Sequence, residues 1–396
     1  MTATIDVEAK PGGFRSDQQV IQQAEAVAAE LRATALERDR DPSLAADASR
    51  AIAQSGLLAL AVPAKYGGPG LSRATVVEVF RIIAAADAAV AASLVSHFVL
   101  VDAVVRLGHE DLRGRVLPEV LDGVRLGGTC GHKPPLGSVV LAADHALVSA
   151  DGYHGNGALA ADWIGAVVED DSGRVTIGIV PNDAPGLSIT TEPWSFGQRA
   201  GTVAPVTLNR VKIPLSHVIP EWRSLDGPTV RGSFDQLLHT AIDIGTARGA
   251  LNGARDFIQR TIAATHGGGE ASGADEVSIA EQVGDLASDI FVAEAALRDT
   301  ARRLDAALAE GLTDRSTAEL SIDVAALKSH ASKTVIRTTN EILELAGIEG
   351  TITEHRLDRF WRNARTHTLH DPVRWKYRHI GRFVLNETPP PKSSLI

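Results

Sequence analysis

The spacing of apolar residues changes twice along the chain, and this change limits the possible folds more than any other feature of the sequence. Up to about residue 126, apolar residues recur at steps of three and four, which is typical of packed helices. Alternating segments such as VTIGIVP and APVTLNRVKIP then predict short strands. From Phe234 onward the helical spacing returns. The sequence therefore predicts an α+β protein, mostly α, with an N-terminal helical domain at 1–126, a middle β domain at 127–228 and a C-terminal helical bundle at 229–396.

Local signals place the ends of several helices. Ser16 is a suitable N-cap for the first helix, and Gly347 is a suitable C-cap for a long helix that begins near residue 315. Gly245 and Gly249 lie four residues apart in a helical segment, so we expect another helix to approach closely there. The long C-terminal helices carry apolar stripes that none of them can bury alone, which predicts a four-helix bundle.

Composition and charge exclude several classes of protein. A formal net charge of −10 over 396 residues gives no global positive field, so we do not expect nucleic-acid binding. The single cysteine, Cys130, rules out an intrachain disulfide and favours a cytoplasmic location. The most apolar stretch begins at Ile82 and is interrupted by Asp87 and His97, so we expect no membrane span.

The stretch LDRFWRNARTHTLHDPVRWKYRHIGRFVLN, residues 357–386, is the most unusual part of the sequence. It combines seven Arg and Lys residues with two tryptophans and three histidines, which predicts a pocket for a flat, anionic molecule. Pro372 should end or redirect a helix, and His367 and His370 would share one face of that helix. With Asp371 they suggest a metal site as one alternative, and ordinary histidines at the edge of the core as another.

Part of this stretch, RNARTHTLHDPVRWKY, resembles the C-terminal signature of the flavin-dependent monooxygenases related to dibenzothiophene monooxygenase. That group is a branch of the acyl-CoA dehydrogenase superfamily, and the sulfur-acquisition oxidoreductases linked to dimethyl sulfone use are more similar still. The resemblance implies the acyl-CoA dehydrogenase fold, with a middle β-barrel or sandwich domain and a C-terminal four-helix bundle. It also implies a homotetramer that binds FMN.

The middle domain carries three further segments that resemble the superfamily. GHKPPLGS stands where the family has a TEPxxGS motif that touches flavin, and Ser138 matches that motif. In YHGNGALAADW, Asn156 replaces a hydroxyl residue that hydrogen-bonds flavin N5, and an amide can also donate and accept. In WSFGQRAG the resemblance implies that Trp194 flanks the flavin ring, while Gln198 and Arg199 position substrate and cofactor. The structural alternative is that Trp194 plugs an interface and Arg199 makes a surface ion pair.

The resemblance and the chemistry of flavins lead to a catalytic hypothesis. Reduced flavin reacts with O2 to give a C4a-hydroperoxide, and the protein must hold the flavin, exclude water and manage one proton. A histidine with a pKa near 6.5 suits that proton transfer. We expect His370 to manage the proton, His97 to face it and His367 to orient it, with Arg365 helping to hold the FMN phosphate. For His97, an ordinary core histidine is the alternative.

The predicted function is a two-component, FMNH2-dependent monooxygenase that oxygenates a small organosulfur or related compound. No nicotinamide fingerprint is visible, so a separate NAD(P)H:flavin reductase should supply FMNH2. One alternative is an FAD-dependent acyl-CoA dehydrogenase with Asp371 as the base, although Pro372 replaces a permissive glycine. The other is a family member without activity, suggested by the substitutions at Lys133, His154 and Asn156. The sequence does not identify the substrate.

Overall fold

The computed structural model describes residues 13–14, 16–130, 137–191, 195–266, 273–393 and 396, apart from some side chains at the edges of these ranges. Trp194, Lys133 and the centre of the Gly-rich segment at 267–272 lie outside them. In the described part of the chain, six α-helices precede the strands: α1 Asp17–Ala33, α2 Ala35–Arg40, α3 Ala45–Gln54, α4 Arg73–Ala86, α5 Ala88–Leu107 and α6 Glu110–Leu121. The N-cap predicted at Ser16 is confirmed, because its hydroxyl accepts a hydrogen bond from the Gln19 amide.

Helix α5 runs through the core of the N-terminal region. Asp87 caps it by accepting hydrogen bonds from the amides of Ala89 and Val90, and the buried Arg38 holds the same carboxylate at 2.8 Å. The helix is long and apolar enough to cross a membrane, but 83% of its most apolar window is buried inside the protein. We therefore describe α5 as a core helix, whose apolar composition reflects this burial.

Among the described residues, eight strands form one mixed sheet in the middle of the chain. The sheet order is β6-β7-β3-β1-β4-β5-β8, and β2 pairs with both β3 and β4. Strand β1 runs antiparallel to β3, with Gly128 opposite Asn156, and parallel to β4. The strands are β1 Leu126–Cys130, β2 Gly137–Leu141, β3 His145–Asn156, β4 Trp163–Glu169, β5 Val175–Pro181, β6 Leu187–Ile189, β7 Ala204–Pro214 and β8 Val218–Ile219.

The C-terminal region is helical and shares a core with the N-terminal helices. Its helices are α7 Arg231–His266, α8 Gly273–Glu310, α9 Asp314–Ala346, α10 Asp358–His370 and α11 Arg374–Asn386. One apolar cluster joins α1, α4 and α5 to α7, α8 and α9. The helix–sheet–helix order predicted from the sequence is thus confirmed.

The close approach predicted at Gly245 and Gly249 is also confirmed, and the partner is helix α4. A Cβ atom on Gly245 would lie 2.3 Å from the carbonyl oxygen of Arg81, and one on Gly249 would lie 2.3 Å from that of Ala85. Backbone cannot move aside as a flexible side chain can, so only glycine fits at both positions. This contact fixes α7 against α4 and therefore fixes the polar side chains that α7 carries.

Helices α10 and α11 meet at a sharp turn, as Pro372 predicted. Helix α10 ends at His370, Asp371 has extended backbone, and α11 begins at Arg374. The turn holds the predicted catalytic residues at the end of α10, where they face side chains of α7.

Candidate active site at the junction of helices α7, α10 and α11

A chain of buried polar side chains joins α7 to α9 and α10. The Nδ1 atom of His367 lies 2.5 Å from Oδ1 of Asp243, and the ammonium of Lys328 lies 2.7 Å from Oδ2 of the same carboxylate. Asp243 is 1% exposed and Lys328 is 2% exposed. Burial alone would raise the pKa of Asp243, but Lys328 and His367 lower it to about 2. Asp243 is therefore a carboxylate with partners on both oxygens.

A second histidine on α7 continues this chain toward the end of α10. The Nδ1 atom of His239 lies 2.9 Å from Nε2 of His367, and its Nε2 atom lies 3.6 Å from Asp235. The His239 ring stacks on that of His370, with ring centres 5.4 Å apart. Burial lowers the pKa of His239 well below its ordinary value, and the neighbouring His367 and His370 lower it further. His239 thus connects both predicted catalytic histidines of α10.

The carboxylate proposed as a base in the dehydrogenase alternative is already engaged. The ammonium of Lys376 lies 2.7 Å from Oδ2 of Asp371 and donates a 3.0 Å hydrogen bond to Gln236. Lys376 is 2% exposed. A base must reach its proton at hydrogen-bond distance, and a carboxylate held by a buried ammonium is poorly placed for that. This salt bridge disfavours Asp371 as a general base. Among the described residues, no three His, Cys, Asp or Glu side chains are placed to hold a metal.

His97 lies in the core, and its hydrogen bonds go to backbone atoms. Its Nε2 atom is 2.9 Å from the carbonyl oxygen of Leu58, and its Nδ1 atom accepts a 3.1 Å hydrogen bond from the Leu126 amide. The side chain is 0% exposed, and burial lowers its pKa to about 4. Both nitrogens of the neutral ring are satisfied, so this geometry favours the core histidine and not a partner that faces His370.

This arrangement predicts how His97 affects stability. Its folded pKa of about 4 lies below the ordinary 6.5, so the unfolded chain binds more protons between these values. Stability is fully present above pH 6.5, and we expect about 3 kcal/mol of it to be lost as the pH falls to 4. His97→Gln should lose that pH dependence in denaturant unfolding of flavin-free protein. If the free energies of unfolding of the wild type and of His97→Gln change in parallel with pH, the prediction fails.

Asn156 ends strand β3 beside helix α5, with one half of its amide engaged. Its Nδ2 atom donates a 2.9 Å hydrogen bond to the carbonyl oxygen of Ala92, which fixes the orientation of the amide. Its Oδ1 atom is buried and has no hydrogen-bond partner among the described residues. A buried acceptor without a partner costs stability, and a bound ligand or an ordered water that donates to it would remove this cost.

A cavity of about 870 Å3, a size typical of a small-molecule site, lies between α3, the segment that follows this strand and the segment at 195–203. Gln198 and Arg199, which the resemblance predicts to position substrate and cofactor, line it. The backbone amide of Gln198 donates a 2.6 Å hydrogen bond to Asn363, while its Nε2 atom is buried without a partner among the described residues. The buried Arg125 also lines the cavity, and burial lowers its pKa to about 10.

Two of the remaining predicted site residues, Ser138 and Arg365, are exposed to solvent. Ser138 is exposed in strand β2, in register with Ser149 of β3, and Arg365 is exposed on α10. Trp194 lies outside the described residues. The structure thus brings His367 and His370 together through His239, whereas Gln198 and Arg199 line the cavity, which α10 borders at Thr366.

Sequence reasoning missed three members of the buried chain, namely His239, Asp243 and Lys328. A signal was available in α7. His239 and Asp243 stand four residues apart there, among apolar residues in the mostly buried N-terminal half of the helix. Lys328 similarly interrupts the apolar stripe of α9. Charged side chains at buried helix positions are rare unless paired, so such positions indicate a polar network.

Comparison with known proteins identifies the family of the chain. Family models of the acyl-CoA dehydrogenase N-terminal and C-terminal domains match residues 16–124 and 237–375. Dibenzothiophene monooxygenase from Rhodococcus qingshengii is 26% identical over 393 residues, with 94% of each chain aligned. A probable FMNH2-dependent monooxygenase from Pseudomonas putida is 26% identical, and the match covers 93% of this chain and 95% of that protein.

Solved structures agree with the sequence comparisons. The FMN-bound structure of TdsC from Paenibacillus sp. A11-2 matches with a TM-score of 0.87 and 26% identity, covering 96% of this chain and all of that one. The same protein is described as a dibenzothiophene monooxygenase. The two domain models together span more than half of the present chain, which therefore belongs to the acyl-CoA dehydrogenase superfamily, in its flavin-dependent monooxygenase branch.

Proposed function

We propose that the protein is a two-component, FMNH2-dependent monooxygenase that oxygenates a small organosulfur or related compound. The observation that carries the proposal is the pair of histidine contacts at the end of α10. His370 stacks on His239, which is hydrogen-bonded to His367, while the neighbouring Asp371 is held by Lys376. This site can hold and move a proton on imidazoles, but it offers no unengaged carboxylate at Asp371 to remove the α-proton of a thioester.

We place FMN in this cavity, because the Pseudomonas relative is named as FMNH2-dependent and the Paenibacillus structure is described as FMN-bound. Bound FMNH2 would supply the oxygen chemistry by forming a C4a-hydroperoxide. The unpartnered Oδ1 atom of Asn156 is an acceptor for the N5–H group that reduced flavin carries. Gln198 offers an unpartnered donor, and Arg199 and Arg365 are exposed cations for an anionic ligand or its phosphate. FAD is the alternative cofactor.

We assign each residue one task. His370 holds or delivers the proton that oxygen transfer to sulfur requires, and His367 orients the histidine pair. Asp371 anchors Lys376 at the turn, and the cavity walls exclude water from the reaction. His97 supports the packing of α5 against β1 and has no proton-transfer task.

The proposed partners follow from the same chemistry. O2 is the co-substrate, and a separate NAD(P)H:flavin reductase supplies FMNH2. We also propose a cytoplasmic homotetramer. Exposed apolar side chains on α11 and α8 support further assembly, including Val384 at 73% exposure, Leu385 at 81% and Phe291 at 63%.

The test is oxygen incorporation under 18O2. The purified protein would be combined with FMN, NADH and a flavin reductase, and screened against sulfides, sulfones, sulfinates and aromatic thioethers. We expect at least one compound to gain a single 18O atom only when reductase and FMN are both present. If no compound gains oxygen, and FAD-loaded protein instead oxidises acyl-CoA thioesters, the proposed function is wrong.

Asn156→Leu should weaken FMN binding with little effect on folding. The variant removes the unpartnered acceptor, and we expect about a tenfold loss of affinity for reduced FMN, the value of one hydrogen bond to a ligand. Anaerobic fluorescence titration measures this loss. The matched control is Asn182→Leu, because Asn182 also donates a hydrogen bond to a backbone carbonyl, at Ala161, in the same domain. Equal loss in both variants would contradict a contact between Asn156 and flavin.

A further inference from the structure

We infer that Asp235, His239, His367 and Asp243 form a proton relay that serves His370. The inference rests on the proposed function, because it assigns to the relay the proton that oxygenation requires. It adds His239 and Asp235 as positioning residues, and it gives the buried Asp243 the task of stabilising the proton at the inner end of the relay.

The four side chains follow one another, with two contacts at hydrogen-bond distance and one longer ion-pair contact at Asp235. Asp235 lies 3.6 Å from Nε2 of His239, and the opposite nitrogen of that ring lies 2.9 Å from His367. The second nitrogen of His367 lies 2.5 Å from Asp243. Each imidazole therefore presents one nitrogen toward each neighbour, which is the geometry that lets a ring accept a proton on one side and release another on the opposite side.

Exposure falls steadily along this series. The side chains of Asp235 and His239 are 17% and 13% exposed, whereas those of His367 and Asp243 are 5% and 1% exposed. Asp235 is thus the end closest to solvent, and Asp243 is the closed end. A network that served only packing would not need an ionisable group at its outer end.

The proton balance of one uptake step is simple. A proton arrives on Nε2 of His239, and the proton on Nδ1 of His239 passes to Nε2 of His367. His367 becomes an imidazolium, because it keeps the proton on Nδ1 that it donates to Asp243. The negative charge of Asp243 stabilises that imidazolium, and the reverse step returns the proton to His239 and Asp235. No atom or electron is gained or lost besides this proton.

The charged groups around the relay oppose a second proton. Lys328 of α9 contacts Asp243, Lys376 of α11 pairs with Asp371 at the turn, and His370 of α10 stacks on His239. Arg231, one turn before Asp235 on α7, also acts on the Asp235 carboxyl and lowers its pKa. Two stacked imidazoles cannot both become cations cheaply at this separation. Proton uptake by the relay therefore favours release of a proton from His370. The relay acts on His370 through this electrostatic repulsion between the two protonated groups.

The His239→Asn variant distinguishes a proton relay from a simple hydrogen bond between His239 and His367. The Nδ2 atom of asparagine takes the place of histidine Nδ1, so His239→Asn keeps the donor to His367 but removes the nitrogen facing Asp235. His239→Phe keeps a flat ring against His370 but has no ring nitrogen. His217→Asn is the matched control, because His217 is a buried histidine with a backbone hydrogen bond to Ile179 in the β domain.

The first readout uses flavin-free protein and does not depend on the proposed function. Burial raises the pKa of Asp235 to about 6, so the folded protein keeps a proton there that the unfolded chain releases near pH 4. Stability from this proton is present below pH 4 and is lost as the pH rises through 6. We expect Asp235→Asn to remove this pH dependence and both His239 variants to shift its midpoint, whereas His217→Asn leaves it unchanged.

The second readout is the pH profile of oxygenation by protein loaded with reduced FMN. We expect His239→Asn, His239→Phe and Asp235→Asn each to lose roughly 10-fold in rate at the pH optimum and to shift the profile. This loss is smaller than the ~10²-fold expected for removing the acid itself. If His239→Asn keeps the wild-type profile and midpoint, His239 serves only as a hydrogen-bond donor, and the relay is wrong. If the wild type shows no oxygenation, the proposed function fails while the stability readout still decides the relay.

Discussion

Replacing His370 with asparagine is expected to lower the yield of oxygenated product by about 100-fold or more, while reduced FMN is still consumed and H2O2 accumulates. His370 is the exposed histidine at the end of α10, beside the buried His239–His367 pair. Removing a general acid or base typically costs 10²- to 10⁴-fold in rate. Product and H2O2 would be measured in the same reaction, so that the ratio reports coupling directly.

The matched control for this experiment is His379→Asn. His379 lies on α11 in the same histidine-rich stretch, and its pKa is lowered by partial burial and by the nearby Arg378 and Arg382. We expect this variant to keep wild-type coupling. A fully coupled His370→Asn enzyme, with His379→Asn equally active, would contradict the role assigned to His370.

The second large effect is expected for Lys328→Met, which should lower the free energy of unfolding by roughly 3–5 kcal/mol. The substitution leaves the Asp243 carboxylate buried without its ammonium partner, and breaking a buried pair from one side has this cost. Adding Asp243→Asn should recover part of the loss, because no unpaired charge then remains. Denaturant unfolding of the flavin-free proteins measures both values.

Two comparisons make this result specific. Arg303→Met on α8 breaks a more exposed ion pair with Asp323 of α9, so we expect a loss of about 0–1 kcal/mol. Asp243 has a folded pKa of about 2, below that of the unfolded chain, so its stabilisation is present above about pH 4 and is lost as the pH falls toward 2. A Lys328→Met variant as stable as Arg303→Met would contradict the assignment of a buried, charged pair.

The fold was predictable because its main signal is local. The periods of three to four and of two are properties of each element alone, so the change of spacing near residues 126 and 230 places the sheet between two helical regions. The caps at Ser16 and Gly347 and the turn at Pro372 are equally local signals. The sequence could not show that α4 packs on α7, because that contact joins segments more than 150 residues apart.

The candidate site was predictable only in part, for the same reason. His367 and His370 lie three residues apart on one helix before a proline, so their proximity follows from helical geometry. The partners of His367 are 124 and 128 residues away on α7, and no local pattern pairs them.

His97 illustrates the limit most clearly. A histidine on an apolar helix has the same sequence context whether it faces a ligand or the core. The distinction depends on the backbone of Leu58 and Leu126, which are 39 and 29 residues away. Lys328 was equally hidden, because a lysine in an apolar stripe reveals its partner only when α7 and α9 are packed together.

The most direct test of monooxygenase activity is rapid mixing of the protein, preloaded with reduced FMN under anaerobic conditions, with oxygenated buffer in the absence of substrate. We expect the absorbance of a flavin C4a-hydroperoxide, which persists for seconds in the wild type and decays faster in His370→Asn. Immediate appearance of oxidised FMN in the wild type, with no intermediate at any pH, would contradict a monooxygenase and leave FAD-dependent oxidation of thioesters as the function to test.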